Sequence, residues 1–206
     1  MARIFGKKCG DHSGGVPVTA GKVEEFLSPV DRLKLKQALG DLDKLKAARA
    51  TSVKIGYAFE VLLANLFGES KVLKVQTRVQ STTGEIDLVI TVLAGLSQSV
   101  PFLVKHTHLL AEAKCHQSAL KSEWVTEMLT NLQHHGASLG LIFVYCKSRP
   151  VHVRSRQAIA MGVVGGKVVV PIGRKQFDDI CAGGSVIGVL GQQFVDASVH
   201  TSTLRV

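Results

Sequence analysis

The sequence predicts an α/β protein: a mixed β-sheet flanked by helices, with an N-terminal helical extension. Two observations lead there. Helical and strand-like periodicities follow one another in the order helix, three strands, helix, strand, helix, strand. One strand, LGLIFVYC (Leu139 to Cys146), is apolar throughout, as in a strand covered on both faces.

Residues 1 to 20 are rich in Gly, Pro and basic side chains and read as a loose arm. Cys9 and His12 there lack a second pair to complete a zinc site. From Gly21 to Leu45, Phe26, Leu27, Val30, Leu33, Leu35 and Leu39 allow an apolar helical stripe, broken near Ser28-Pro29. Residues 1–50 are thus expected to form a basic arm and helical extension, and residues 51–206 the main domain. Ser52 to Phe67 is an apolar helix stopped by Gly68, and Glu60 is its one acid. A carboxylate in such a helix needs a partner, a metal or an exit to solvent.

Val72 to Val79 follows, then the polar turn Gln80 to Gly84, then a strand from Glu85 to Val92. Its alternation puts Ile86, Leu88, Ile90 and Val92 on one face and Glu85, Asp87, Val89 and Thr91 on the other. AGLSQSVP is a loop. Phe102 to Cys115 reads as a strand carrying His106, His108, Leu110, Glu112 and Lys114 on one face. Ala119 to His135 is a helix around Trp124, Met128, Leu129 and Leu132, ended by Gly136. Val153 to Met161 reads as a helix, Lys167 to Ile172 as a strand, and Arg174 to Cys181 as a short helix. The Gly- and Val-rich tail from Ser185 reads as one more strand.

Composition narrows the function. With 206 residues, 46% hydrophobic and 20% charged, the chain can bury one core without staples. Cys9, Cys115, Cys146 and Cys181 are dispersed, which excludes a zinc ribbon or a disulfide scaffold and suits a reducing cytoplasm. No signal peptide or run of about 18 apolar residues is visible, so a cytoplasmic protein without a membrane span is expected. A net charge of +9 favours a polyanionic partner. One Trp and two Tyr argue against a stacking-based single-strand binder. GVVGGK (162–167) has the wrong spacing for a P-loop, and GGSVIG is not a nucleophile elbow.

One arrangement concentrates chemistry. Asp87 lies on one strand, and Glu112 and Lys114 lie two apart on the next. If these strands pair, two acids and a lysine converge. Neighbouring carboxylates repel unless a positive charge sits between them, and hard oxygen ligands favour Mg²⁺, with Mn²⁺ able to substitute. Lys114 would orient or help deprotonate a water and offset charge in the transition state.

GEIDLVI followed by LLAEAKC resembles the PD-(D/E)xK nuclease motif. GYAFEVLLANLF resembles the helix that carries an extra acid in many members. LGLIFVYC, VRSRQAIAMGV and KVVVPI resemble the second half of Mrr-like restriction endonucleases. The resemblance covers roughly Ser52 to Cys181 and implies a restriction-endonuclease-like core. It implies that Asp87 and Glu112 hold Mg²⁺, with the Ala113 carbonyl as a further ligand. Lys114 would act on the water, and Glu60 would assist through metal or water. Ile86 stands where the motif has proline, and the gap from Asp87 to Glu112 is long, an excess assigned to the AGLSQSVP loop.

These readings lead to a Mg²⁺-dependent, restriction-type DNA endonuclease acting on double-stranded DNA as a homodimer. A Holliday-junction resolvase, an RNA endonuclease and a non-catalytic nucleic-acid-binding subunit are the alternatives. Lys121, Lys147, Arg149, Arg154 and Arg156 are the basic residues expected to meet phosphates, together with Arg174, Lys175 and the N-terminal lysine pair. His106 and His108 form an HxH pair without a third ligand; His134 and His135 suit a helix C-terminus.

Overall fold

Two periodicities, 2 in the strands and 3.6 in the helices, build a five-stranded sheet with helices on both faces. The computed structural model describes residues 29–68, 73–81, 84–93, 100–115, 119–145, 151–199 and 204. The N-terminal arm, with Cys9 and His12, lies outside them, as does most of the AGLSQSVP loop.

The elements are α1 (Pro29–Ala47), α2 (Ser52–Gly68), β1 (Leu73–Ser81), β2 (Gly84–Val92), β3 (His108–Lys114), α3 (Ser122–His134), β4 (Leu139–Val144), α4 (Val153–Val164), β5 (Val168–Ile172), α5 (Arg174–Cys181) and α6 (Val186–Ser198). The strands lie in chain order, β1-β2-β3-β4-β5. The pairs β1–β2 and β2–β3 are antiparallel, whereas β3–β4 and β4–β5 are parallel. The sheet is therefore mixed, and β3 is where its sense changes. Among the described residues, no helix is long and apolar enough to cross a membrane.

Parity assigns the faces. Leu88, Ile90, Leu109, Ala111, Leu141 and Phe143 share one side and are all buried. Phe143 meets Phe67 of α2 and Phe177 of α5 edge-on or tilted, so α2 and α5 cover this side. Val89, Leu110 and Gly140 share the other side. There a Cβ on Gly140 would stand 2.6 Å from Met128 Sδ and 3.2 Å from Leu132 Cδ1, so α3 lies directly on β4. Gly136, at φ 62°, ends α3 as its sequence position suggests.

Three expectations are corrected. First, the strand expected from Phe102 begins only at His108. Pro101 opens a 3₁₀ turn over Pro101–Leu103, and the His106 N–H bonds to the Leu103 carbonyl, so these residues make local turns instead of ladder bonds. Second, the tail is the helix α6. Its buried positions Val186, Leu190, Gln193 and Ala197 follow helical spacing, and Ser185 Oγ caps it by accepting from the Gly188 N–H. Third, Leu33 is 67% exposed, and the buried stripe of α1 is Leu35, Leu39 and Leu42.

Gly140→Val is expected to cost about 1–3 kcal/mol by overpacking the α3–β4 contact. Urea unfolding of the variant against wild type checks this.

Candidate functional site

The site begins where β2 and β3 part. Their ladder runs from Thr91↔His108 to Leu88↔Ala111. One step further the Asp87 carboxylate takes over, and its Oδ2 accepts the Ala113 backbone N–H at 2.7 Å. A side chain thus satisfies a donor that the ladder leaves behind. Continuing the register places Glu112 across from Asp87 on the face shared with Lys114, as alternation along the strands predicts.

The charges are tightly coupled. Burial pushes Asp87 above the ordinary carboxylate value, opposed by the Ala113 N–H and reinforced by the Glu60 charge. Burial and then Asp87 push Glu112 up to about 7, against the pull of Lys114. Burial would lower Lys114, but Glu112, Glu127 and Asp87 together outweigh it and leave its pKa raised. Lys114 is therefore held as a cation, suited to orienting a water and offsetting charge rather than to taking a proton. Lys114 Nζ lies 3.0 Å from Glu112 Oε1 and 3.6 Å from Glu127 Oε2 of α3.

Glu112 Oε2 is buried without a hydrogen-bond partner. Such an oxygen calls for a donor or a cation. Two carboxylates on one face fit Mg²⁺, which keeps several waters and needs only one or two protein carboxylates beside a substrate phosphate. Among the described residues, no group of three or more His, Cys, Asp or Glu is placed to hold a metal by itself. The contribution of Ala113 seen here is its N–H, which fixes Asp87.

Glu60 is placed differently from its strand partners. Arg78 Nε donates to its Oε2 at 2.7 Å and Nη2 to its Oε1 at 3.3 Å. The guanidinium also lies 5.4 Å from the Tyr57 ring centroid. Arg78 has φ 52°, a left-handed conformation that costs a non-glycine residue roughly 1–2 kcal/mol. Neither Arg78 nor Glu127 was singled out by sequence. Glu127 has a readable signal, since it shares one helical stripe with Thr130, Asn131 and His134. Arg78 has none, because nothing in an arginine announces a positive φ.

That stripe of α3 borders two open cavities. One, about 410 Å³, is lined by Gly84, Glu85, Thr126, Glu127, Thr130 and Asn131. The other, about 710 Å³, includes Gln80, Ser81, Val89, His108, Leu110, His134 and His135. Both border β2 and α3; the larger also touches Val79 and Ile86, and the smaller reaches the cluster through Glu127, beside Lys114.

The remaining candidates divide. Lys121 is exposed 5.4 Å from the Trp124 ring centroid, and Arg154 is exposed at the start of α4; Arg156 is half-buried. Lys121 and Arg154 follow β3 and β4, so they sit toward the sheet end that carries Lys114. Lys147 and Arg149 lie outside the described residues. Arg174 bonds Asp43 and Asp178, and Lys175 bonds Asp179, so both are engaged within the fold. His106 and His108 do not form a strand pair: the His106 ring bonds Ser138 Oγ at 2.9 Å, and His108 Nε2 bonds the His135 carbonyl at 3.1 Å. Burial pushes the Cys115 thiol up to about 12, and its Sγ points to the Ile55 carbonyl, so it is no nucleophile.

No family model matches the sequence, and no curated protein matches it. Among solved structures, the fold is similar to the DNA modification-dependent restriction endonuclease AspBHI, with a TM-score of 0.46 and 15% identity. The match covers 92% of this chain and 50% of that one, so the chain spans half the length of that protein. A likeness of this degree says nothing about chemistry.

Because its pKa is raised from 4.5 to about 7, Glu112 gains a proton on folding between those values. Its contribution to stability is complete below the ordinary value and is lost as pH rises through about 7. In EDTA, the wild-type melting temperature is expected to fall from about pH 5 to about pH 8, and that of Glu112→Gln to fall several degrees less. Thermal melts across that range check the sign.

Proposed function

We propose that the protein is a Mg²⁺-dependent, restriction-type DNA endonuclease that hydrolyses phosphodiester bonds in double-stranded DNA. One observation carries the reading: Asp87 and Glu112 share a face beside a cationic Lys114, and a buried Glu112 oxygen has no partner. Bound there, Mg²⁺ supplies Lewis-acid stabilisation of the phosphate charge and a more acidic water. Asp87, fixed by the Ala113 N–H, and Glu112 would hold it. Lys114 orients the attacking water toward phosphorus, opposite the leaving oxygen, and balances the developing negative charge.

The net charge of +9 and the exposed Lys121 and Arg154 support a nucleic-acid substrate. The open cavity lined by Glu127, whose carboxylate lies 3.6 Å from Lys114 Nζ, leaves room for a strand to approach the cluster. Cutting both strands of a duplex takes two such sites, so the acting form is read as a homodimer.

Supercoiled plasmid, a four-way junction and structured RNA are incubated with the protein in Mg²⁺ or EDTA. Mg²⁺-dependent cutting of plasmid is expected. Lys114→Ala is expected to lose at least about 10²-fold in rate, and Asp87→Ala to lose cleavage while still binding DNA. Binding is expected to weaken steeply with salt. Cleavage retained in Asp87→Ala would sink the site assignment, and preference for the junction or RNA would replace the substrate.

A further inference from the structure

Glu60 has a partner, and the register of β1 shows what that partner would do without it. β1 pairs with β2 at Thr77↔Leu88 and at Val79↔Ile86, but not between them. In that register the residue facing Arg78 is Asp87. Cross-strand neighbours share a face. An Arg78 with ordinary extended backbone would project beside Asp87, within reach of an ion pair, and its guanidinium would take the place a cation needs. Instead Arg78 has φ 52°, and its guanidinium forks onto Glu60. Glu60 belongs to α2, whose Phe67 packs on the face opposite Asp87, yet the Glu60 charge still reaches Asp87.

We propose that Glu60 is a positioning residue that holds Arg78 off Asp87 and so keeps the Asp87–Glu112 pair open to a divalent cation. The inference rests on reading that pair as a cation site. Two further features support it. The ladder is interrupted at this pair and intact on both sides, so the departure is local. The Arg78 side chain is 48% exposed, so little packing holds it in place apart from Glu60 and the Tyr57 ring. A left-handed arginine needs such an anchor, because the extended conformation is the relaxed one.

The test is the full chain titrated with Mn²⁺, with free ion followed by electron paramagnetic resonance. Wild type is compared with Glu60→Ala and with Glu60→Ala/Arg78→Ala, each confirmed folded by circular dichroism. Removing Glu60 is expected to weaken Mn²⁺ binding by about tenfold, because Arg78 then pairs with Asp87. Removing Arg78 as well is expected to restore it to within about threefold of wild type. Equal weakness in the single and double variants would make Glu60 act on the cation itself and overturn the proposal. Unchanged binding in Glu60→Ala would overturn it too. If Glu60→Ala fails to fold, Glu60→Gln, which keeps the volume and removes the charge, takes its place in the same comparison. Wild type that binds no Mn²⁺ would overturn the cation site and this proposal together. Wild-type binding without rescue would overturn this proposal alone.

Discussion

The hydrogen bond from the Ala113 N–H to the Asp87 carboxylate organises the site. It lets β2 and β3 separate without leaving a buried donor unsatisfied. It also fixes one carboxylate across from another, in a recess where water no longer screens them well. Lys114 offsets part of that charge, yet Glu112 is still driven up to about 7. A recess that keeps two acids and one cation together holds excess negative character. Such a place is suited to a divalent ion and unsuited to tight packing, which accounts for the unpartnered oxygen within an otherwise well-satisfied sheet.

The surroundings serve this geometry. α3 approaches β4 closely because Gly140 has no side chain, and the approach brings Glu127 to Lys114. On the opposite face, α2 and α5 close over Leu88, Ala111 and Phe143 and leave the strands no freedom to slip. A one-residue shift of β2 would move Asp87 into that apolar layer. The register that builds the core therefore also aims the carboxylates.

Much of this was legible in the chain. Alternation in GEIDLVI placed Asp87 away from the apolar face, and the two-residue step from Glu112 to Lys114 placed both on one side. The apolar LGLIFVYC run was readable because a strand covered on both faces has no polar positions. Where reading failed, the reason was local. Valines and glycines in the tail suggested a strand, but helical spacing of Val186, Leu190 and Ala197 decided the matter. Turn bonds after Pro101 overrode the apparent alternation through His106. Leu33 points to solvent because Leu35, Leu39 and Leu42 already complete the stripe. The need of Glu60 for a partner was apparent from its apolar helix. That the partner is Arg78 depends on a backbone angle that residue type does not encode.

The change of sense at β3 has a consequence for how the chain assembles. β1, β2 and β3 follow one another as antiparallel neighbours, and their partners are nearer in sequence than those of β3 and β4. β4 reaches β3 only after the chain has made the crossover through α3. Loop closure makes the local meander the entropically easier part to form. Asp87 and Glu112 both belong to that meander. The order of strands along the chain thus puts both carboxylates in the part of the sheet that closes over the shorter loops.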